Sequence, residues 1–228
     1  MSVRAGIDMA RERLAQRATL VATGLAFSFE LGVALLERAQ GASGAADRAL
    51  TGGAFGIALP LFCYFLVGRA CGGASLREAL LPLARHGMDR RALTLGLSLP
   101  AALMAAAFAA LSGLAVVLLT RGLGDPSATA GDALTSIWIG IVSGPAYVAA
   151  FVGASALGRR GQGRGWLLAA DFLLGAGDSF LAFPWPKGHV RNLLGGAAVL
   201  ELSQSAALLA LLGTSLAFLW LGTLRNQR

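Results

Sequence analysis

The residues of this chain best suited to chemistry are carboxylates set inside apolar sequence. An ionisable group in hydrocarbon is costly and normally faces protein or a water-filled path. Four stand out: Glu30, Asp171, Asp178 and Glu201. Asp171 and Asp178 are seven residues apart, so on one helix they share a face. Glu201, Gln204 and Ser205 follow at i, i+3 and i+4 and would form a single polar stripe. Two chemistries can be tested on these positions. Paired carboxylates that share a proton must face one another, but Asp171 and Asp178 would lie about 10 Å apart along one helix, and no other apolar stretch contains an aspartate. A serine nucleophile needs a histidine base. Ser155 stands in apolar Gly153-Ala-Ser-Ala156, yet His86 and His189 both fall in connecting segments. No residue is therefore assigned a catalytic role.

The elements that must carry these groups are six apolar stretches, at about 18–36, 53–68, 92–120, 133–158, 165–183 and 202–224. Three of them, 92–120, 133–158 and 202–224, contain no charged residue and exceed the roughly 20 residues that cross about 30 Å of hydrocarbon. The fold class expected is all-α: a polytopic membrane protein with six transmembrane helices in a single domain over 1–228. Basic residues next to spans are retained in the cytoplasm, which sets the orientation. With both termini cytoplasmic, that face holds Arg4, Arg11, Arg13, Arg17, Arg69, Arg77, Arg85, Arg90, Arg91, Arg159, Arg160, Arg164, Arg225 and Arg228 of the 19 basic residues. The other face keeps Arg38, Arg48, Arg121, Lys187 and Arg191 beside the acidic Glu37, Asp47, Asp125 and Asp132. Trp138, Trp166, Trp185 and Trp220 all fall near span ends, where amphipathic rings settle among headgroups.

The net charge of +7 lies on loops beside helices, where it serves topology and contact with anionic lipid rather than nucleic acid. Cys63 and Cys71 have neither disulfide nor zinc spacing. The two histidines fall on opposite sides of the membrane, so they share no metal or haem. No G-x-x-x-x-G-K-[ST] occurs, so the chain brings no ATP-binding loop of its own. No cleavable leader is read at the N-terminus, where the first 17 residues are charged.

Two segments outside the spans are patterned. Residues 3–17 read as an interfacial helix with Ile7, Ala10 and Leu14 on one stripe. The long cytoplasmic connection 69–91 contains a short helix of its own. Ser75 and Glu78 have the S-x-x-E spacing of a capping box; Leu76, Ala79, Leu80 and Leu83 follow as an apolar stripe, which needs something to cover it. Pro82 limits this helix to a couple of turns, and Gly87 with Asp89 reads as a turn and N-cap before the third span. Within the spans, Gly140 and Gly144 form a small-residue packing motif. Pro60, Pro100 and Pro145 permit kinks.

This layout resembles the six-span membrane subunits of ABC exporters, the type-2 exporter permeases. In that family an amphipathic helix precedes the first span, and a coupling helix between the second and third spans inserts into the ATPase subunit. The run from Ala74-Ser-Leu-Arg-Glu-Ala-Leu-Leu to the basic turn at Arg90 and Arg91 is similar to the family's G-T-L-E-x-L-L run, with Pro82 placed earlier than the family's turn proline. The basic break Gly158-Arg-Arg-Gly-Gln-Gly-Arg-Gly165 and the segment from Phe183 to Gly195 are similar to its later features. The resemblance implies a cytoplasmic ATPase partner, which binds ATP and Mg, docking on Ser75, Leu76, Glu78, Leu80, Leu83 and Arg85. It also implies pairing as a homodimer or heterodimer with a similar permease in the inner membrane. A hydrophobic or amphipathic substrate would then pass near Glu30, Asp171, Asp178, Glu201 and Gln204. Two other readings stand beside it. One is a non-catalytic scaffold or assembly subunit. The other is an intramembrane aspartyl protease, to whose G-x-G-D motif Gly175-Ala-Gly-Asp178 is similar.

Overall fold

The computed structural model describes residues 2–41, 44–122 and 126–227; Asp125 and Arg228, assigned above to opposite faces, lie outside the described residues. Helix α1 (Ser2–Leu14) is followed after two residues by α2 (Arg17–Ala39). A short α3 (Ala45–Arg48) runs through a π-helical segment, Ala49–Ala58, into α4 (Leu59–Ala70). Next come α5 (Leu76–Ala84), α6 (Arg90–Arg121), α7 (Pro126–Ala154), α8 (Gly163–Leu174), α9 (Pro186–Leu193) and α10 (Gln204–Gln227). The described residues contain no strand.

Among the described residues five helices are long and apolar enough to cross a bilayer: Arg17–Ala39, Ala45–Ala70, Arg90–Arg121, Ser127–Ala154 and Gln204–Asn226. The chain is thus read as a multi-pass membrane protein. The second of these begins earlier than the expected 53–68. Its Thr51-Gly-Gly-Ala-Phe-Gly56 run is a poor α-helix former and takes the wider π form.

The stretch expected to span at 165–183 is built differently. Helix α8 has 12 residues, about 18 Å at the α-helical rise, against about 30 Å of hydrocarbon. It stops at Gly175-Ala-Gly, whose glycines favour coil over helix. The chain then continues as α9: Gln204 Nε2 donates to the carbonyls of Asn192 and Leu193 at 3.5 and 3.4 Å, tying the end of α9 to the start of α10. The ring of Trp185, just before α9, packs 6.4 Å from that of Phe218, about 21 Å along α10 from Gln204. Helix α9 therefore starts inside the bundle, beside the end of α8, and runs outward to the start of α10, so α8 and α9 are successive halves of one broken segment joined through residues 175–185.

Small residues set the closest helix approaches. A Cβ on Gly140 or Gly144 of α7 would sit 2.7 or 2.6 Å from the α6 backbone at Ala109 and Ala105, so α6 and α7 touch nearly backbone to backbone. Gly6 of α1 meets Gly96 of α6 in the same way, each Cβ colliding with the other helix's backbone. That contact shifts the buried face of α1 to Gly6, Ala10 and Leu14, with Ile7 half-buried at its edge. The interfacial helix is thus docked on α6 rather than lying free.

The bundle has two chemically different ends. At one, Arg13 donates to the Ala70 carbonyl at 2.7 Å, Leu76 N–H donates to Ser155 at 3.0 Å, and Arg90 donates to the Asn226 carbonyl. This end gathers α1, α5, the starts of α6 and α8 and the close of α10, and with them the described basic residues assigned to one face. At the other end the charges neutralise one another. Arg48 pairs with Glu37 at 2.7 Å, Arg121 pairs with Asp132, and Arg38 donates to the Leu119 carbonyl at 2.9 Å.

Candidate functional site

The first site is the platform at the basic end. Ser75 Oγ accepts from Glu78 N–H at 3.3 Å, and Glu78 Oε2 accepts from Ser75 N–H at 2.9 Å and from its hydroxyl at 2.8 Å, so the capping box is formed. These donations, backbone first, hold the Glu78 carboxyl below the usual carboxylate range. The Leu76 N–H bond to the Ser155 carbonyl fastens the helix to the end of α7. The hydroxyl of Ser155, one residue past α7, donates to the Phe151 carbonyl of that helix at 2.7 Å. At the far end, Asp89 accepts from Arg91 and Ala92 N–H, the N-cap expected for α6.

The apolar stripe of α5 is not an exposed docking ridge. Leu76, Ala79 and Leu80 are buried under the protein's own membrane helices, and Leu83 is half-buried. The spacing showed that the stripe needed a cover; the chain supplies that cover itself. What α5 presents outward is Arg77, Glu78 and Pro82, followed by Arg85 and His86. Of the expected docking residues, Glu78 and Arg85 are therefore on the free face, whereas Ser75, Leu76 and Leu80 hold the helix in place.

The second site lies where the end of α8 meets the start of α9. Asp171 on α8 is fully buried. Its Oδ1 accepts the backbone N–H of Lys187 at 2.9 Å and its Oδ2 accepts the hydroxyl of Tyr147 on α7 at 3.2 Å. Lys187 is the second residue of α9, so the carboxyl caps a helix N-terminus, where unpaired N–H groups and the helix dipole favour negative charge. Gly188 makes the fit possible. A Cβ there would meet Val199 at 2.6 Å and the Gly175 carbonyl at 3.2 Å. Lys187 Nζ lies 4.5 Å above the Phe172 ring. His189, also buried, donates through Nε2 to the Phe183 carbonyl at 2.7 Å, and its Nδ1 has no hydrogen-bond partner.

The other carboxylates are scattered. Asp178 lies past the end of α8, exposed, with its backbone carbonyl accepting from Leu200 N–H at 2.8 Å. It does not share a helical face with Asp171, because the helix carrying both was expected to continue and ends at Leu174. The facing pair of carboxylates that acid proteolysis requires is accordingly not formed by these two. Glu201 is exposed in a turn with φ +56, outside α10. The stripe expected from Glu201, Gln204 and Ser205 therefore does not exist; Gln204 instead braces α9. Glu30 is buried in mid-helix on α2 with neither carboxyl oxygen hydrogen-bonded, beside Ser112 of α6, whose hydroxyl is likewise unpartnered.

Among the described residues no three His, Cys, Asp or Glu side chains gather in a metal-ligating group. Sequence reasoning missed Tyr147, a polar aromatic two residues after Pro145 in an otherwise apolar span, which was the available signal. It also missed Lys187, whose contribution is a backbone N–H and leaves no trace in residue type. Compared with family models, curated proteins and solved structures, the chain gives no match.

Proposed function

We propose that the chain is the membrane permease subunit of a transporter of the type-2 ABC exporter class, driven by a separate cytoplasmic ATPase subunit. The observation that carries this reading is α5. It is capped, hydrogen-bonded to the end of α7 and seated by a buried stripe, yet shows a polar face beside the ends of the spanning helices. A rigidly held helix with a free polar face transmits a push, whereas a floppy loop would absorb it. In this reading the basic end is cytoplasmic, both termini lie there, and the broken segment of α8 and α9 serves as the sixth crossing of an inner membrane. The partner supplies the ATP and Mg chemistry. The substrate is hydrophobic or amphipathic, and the chain pairs with a second permease through the lipid-exposed faces of α2 and α10.

The test is crosslinking from a photoreactive residue at exposed position 86 after native extraction. The expected product joins the chain to an ATP-binding protein, and Arg77→Glu with Arg85→Glu should abolish it. These exposed positions leave the fold intact, whereas aspartate at Leu80 or Leu83 would unseat α5 directly. An extract in which no ATP-binding protein crosslinks or copurifies would refute the proposal. A scaffold role is favoured by one observation: both oxygens of Asp171 are already engaged within the protein. Asp171→Asn that leaves transport intact while altering assembly would decide for it.

A further inference from the structure

A groove of about 900 Å³ opens at the basic end between α4 and α8. Three arginines line it, Arg69, Arg160 and Arg164, and no lining residue is acidic. Arg164 is the informative one. It is only 6 % exposed, and its Nη1 has no hydrogen-bond partner. A buried guanidinium with an idle donor is expensive, and charged groups are rarely left so. Its surroundings look built. Gly161, at φ +71, lies so close that a Cβ would come within 2.9 Å of Arg164 Nη2 and 3.0 Å of the Ala74 carbonyl. Only glycine lets the loop close over the guanidinium. The next residue back, Arg160, holds a left-handed backbone at φ +53, a conformation costly for a side-chain-bearing residue, and lines the same groove.

The remaining charges nearby are accounted for. Arg69 Nε is buried without a partner while its Nη2 donates to Gln16. Arg13 packs against Gly72 and is held by the Ala70 carbonyl. Glu78 attracts Arg160 from outside the groove. The other wall is aromatic. Tyr64 and Trp166, the latter 76 % exposed, line the groove. Trp166 is three residues into α8 and Tyr64 six residues from the end of α4, so the groove runs from the charged end about 9 Å along the helices. Amphipathic rings at that depth belong among headgroups.

We propose that this groove binds one anionic phospholipid, its phosphate held by Arg164 and Arg160 with Arg69 alongside, and its glycerol and upper acyl carbons laid against Tyr64 and Trp166. Basic pockets between helix ends are the expected hosts for such headgroups. The arrangement sets a phosphate oxygen, an acceptor matched to guanidinium geometry, against the groove-lining side of Arg164 and beside the exposed Arg160. The inference is independent of any ATPase partner.

The test is native mass spectrometry of the full chain in detergent, titrated with phosphatidylglycerol or phosphatidylcholine, with and without inorganic phosphate. One phosphatidylglycerol should bind roughly tenfold or more tightly than phosphatidylcholine, with each of Arg160→Gln and Arg164→Gln costing on the order of fivefold. Millimolar phosphate should not displace it. Equal binding of the two lipids, or binding unchanged in both variants, overturns the proposal. So does phosphate that competes fully and binds the lipid-free protein with the same arginine dependence, since the source would then be a soluble anion. Arg160 is exposed, so its variant keeps the test decisive even if Arg164→Gln fails to fold.

Discussion

Removing the carboxyl of Asp171 should unlock the junction of α8 with α9, and the size of the effect follows from what is left behind. Asp171→Ala strands the Tyr147 hydroxyl and the Lys187 N–H, both satisfied by that carboxyl in the native protein. Each unpaired buried donor costs about 1–3 kcal/mol, so the variant should lose about 2–6 kcal/mol. Tyr147→Phe removes one bond without stranding the carboxyl entirely, since Lys187 N–H remains. Measured side-chain bonds in bilayers average about 0.6 and reach about 1.7 kcal/mol, so a loss of about 0.5–2 kcal/mol is expected. The diagnostic is the double variant. With the carboxyl gone, the Tyr147 hydroxyl has become a liability, so adding Tyr147→Phe to Asp171→Ala should be neutral or stabilising, giving a coupling on the order of 1 kcal/mol. Reversible unfolding in mixed micelles titrated with SDS reads all three. Strict additivity, or a wild-type-like Tyr147→Phe, would refute the claim that this hydrogen bond fastens α8 to α7.

Helix contacts offer a sharper contrast. Gly144→Leu places a side chain where even a Cβ lies 2.6 Å from the α6 backbone and should cost upwards of about 1–3 kcal/mol. Gly24→Ala on α2, with nothing within 4 Å, should be neutral or gain about 0.5–1 kcal/mol; thermal unfolding of both compares them. Ser75→Ala should loosen α5 by about 1 kcal/mol, seen as faster amide exchange over 76–84. Because Glu78 is held below its ordinary value, its contribution to α5 is fully present above the ordinary carboxylate pKa. It is lost as pH falls through the lower folded value, so exchange should accelerate only on that acid side; the pH dependence should shrink in Ser75→Ala, where the backbone N–H still donates to the carboxyl, and vanish in Glu78→Gln. For orientation, a membrane-impermeant maleimide applied to whole cells should label Gln40→Cys and not Arg85→Cys. Buried Cys63 and Cys71 stay silent; the reverse pattern would place the basic end outside.

Membrane character was readable from the chain because it depends on composition over about 20 residues and on one-dimensional charge sorting, neither of which needs a partner. The capping box at Ser75 and Glu78 and the N-cap at Asp89 were readable because such bonds close within three residues. So was the tight packing at Gly140 and Gly144, since small residues at helical spacing have little other use in a span. The fate of 165–183 was not. Its hydropathy suits a continuous crossing, and only the docking of α9 against α10, with Asp171 waiting at its N-terminus, makes two short helices joined by a loop cheaper than one unbroken helix. The same holds for the direction in which α5 turns its leucines. A periodic stripe reports that a face must be covered, but whether another subunit or the chain's own helices cover it is settled by long-range packing, as is the meeting of Arg69, Arg160 and Arg164 around one groove from two separate segments.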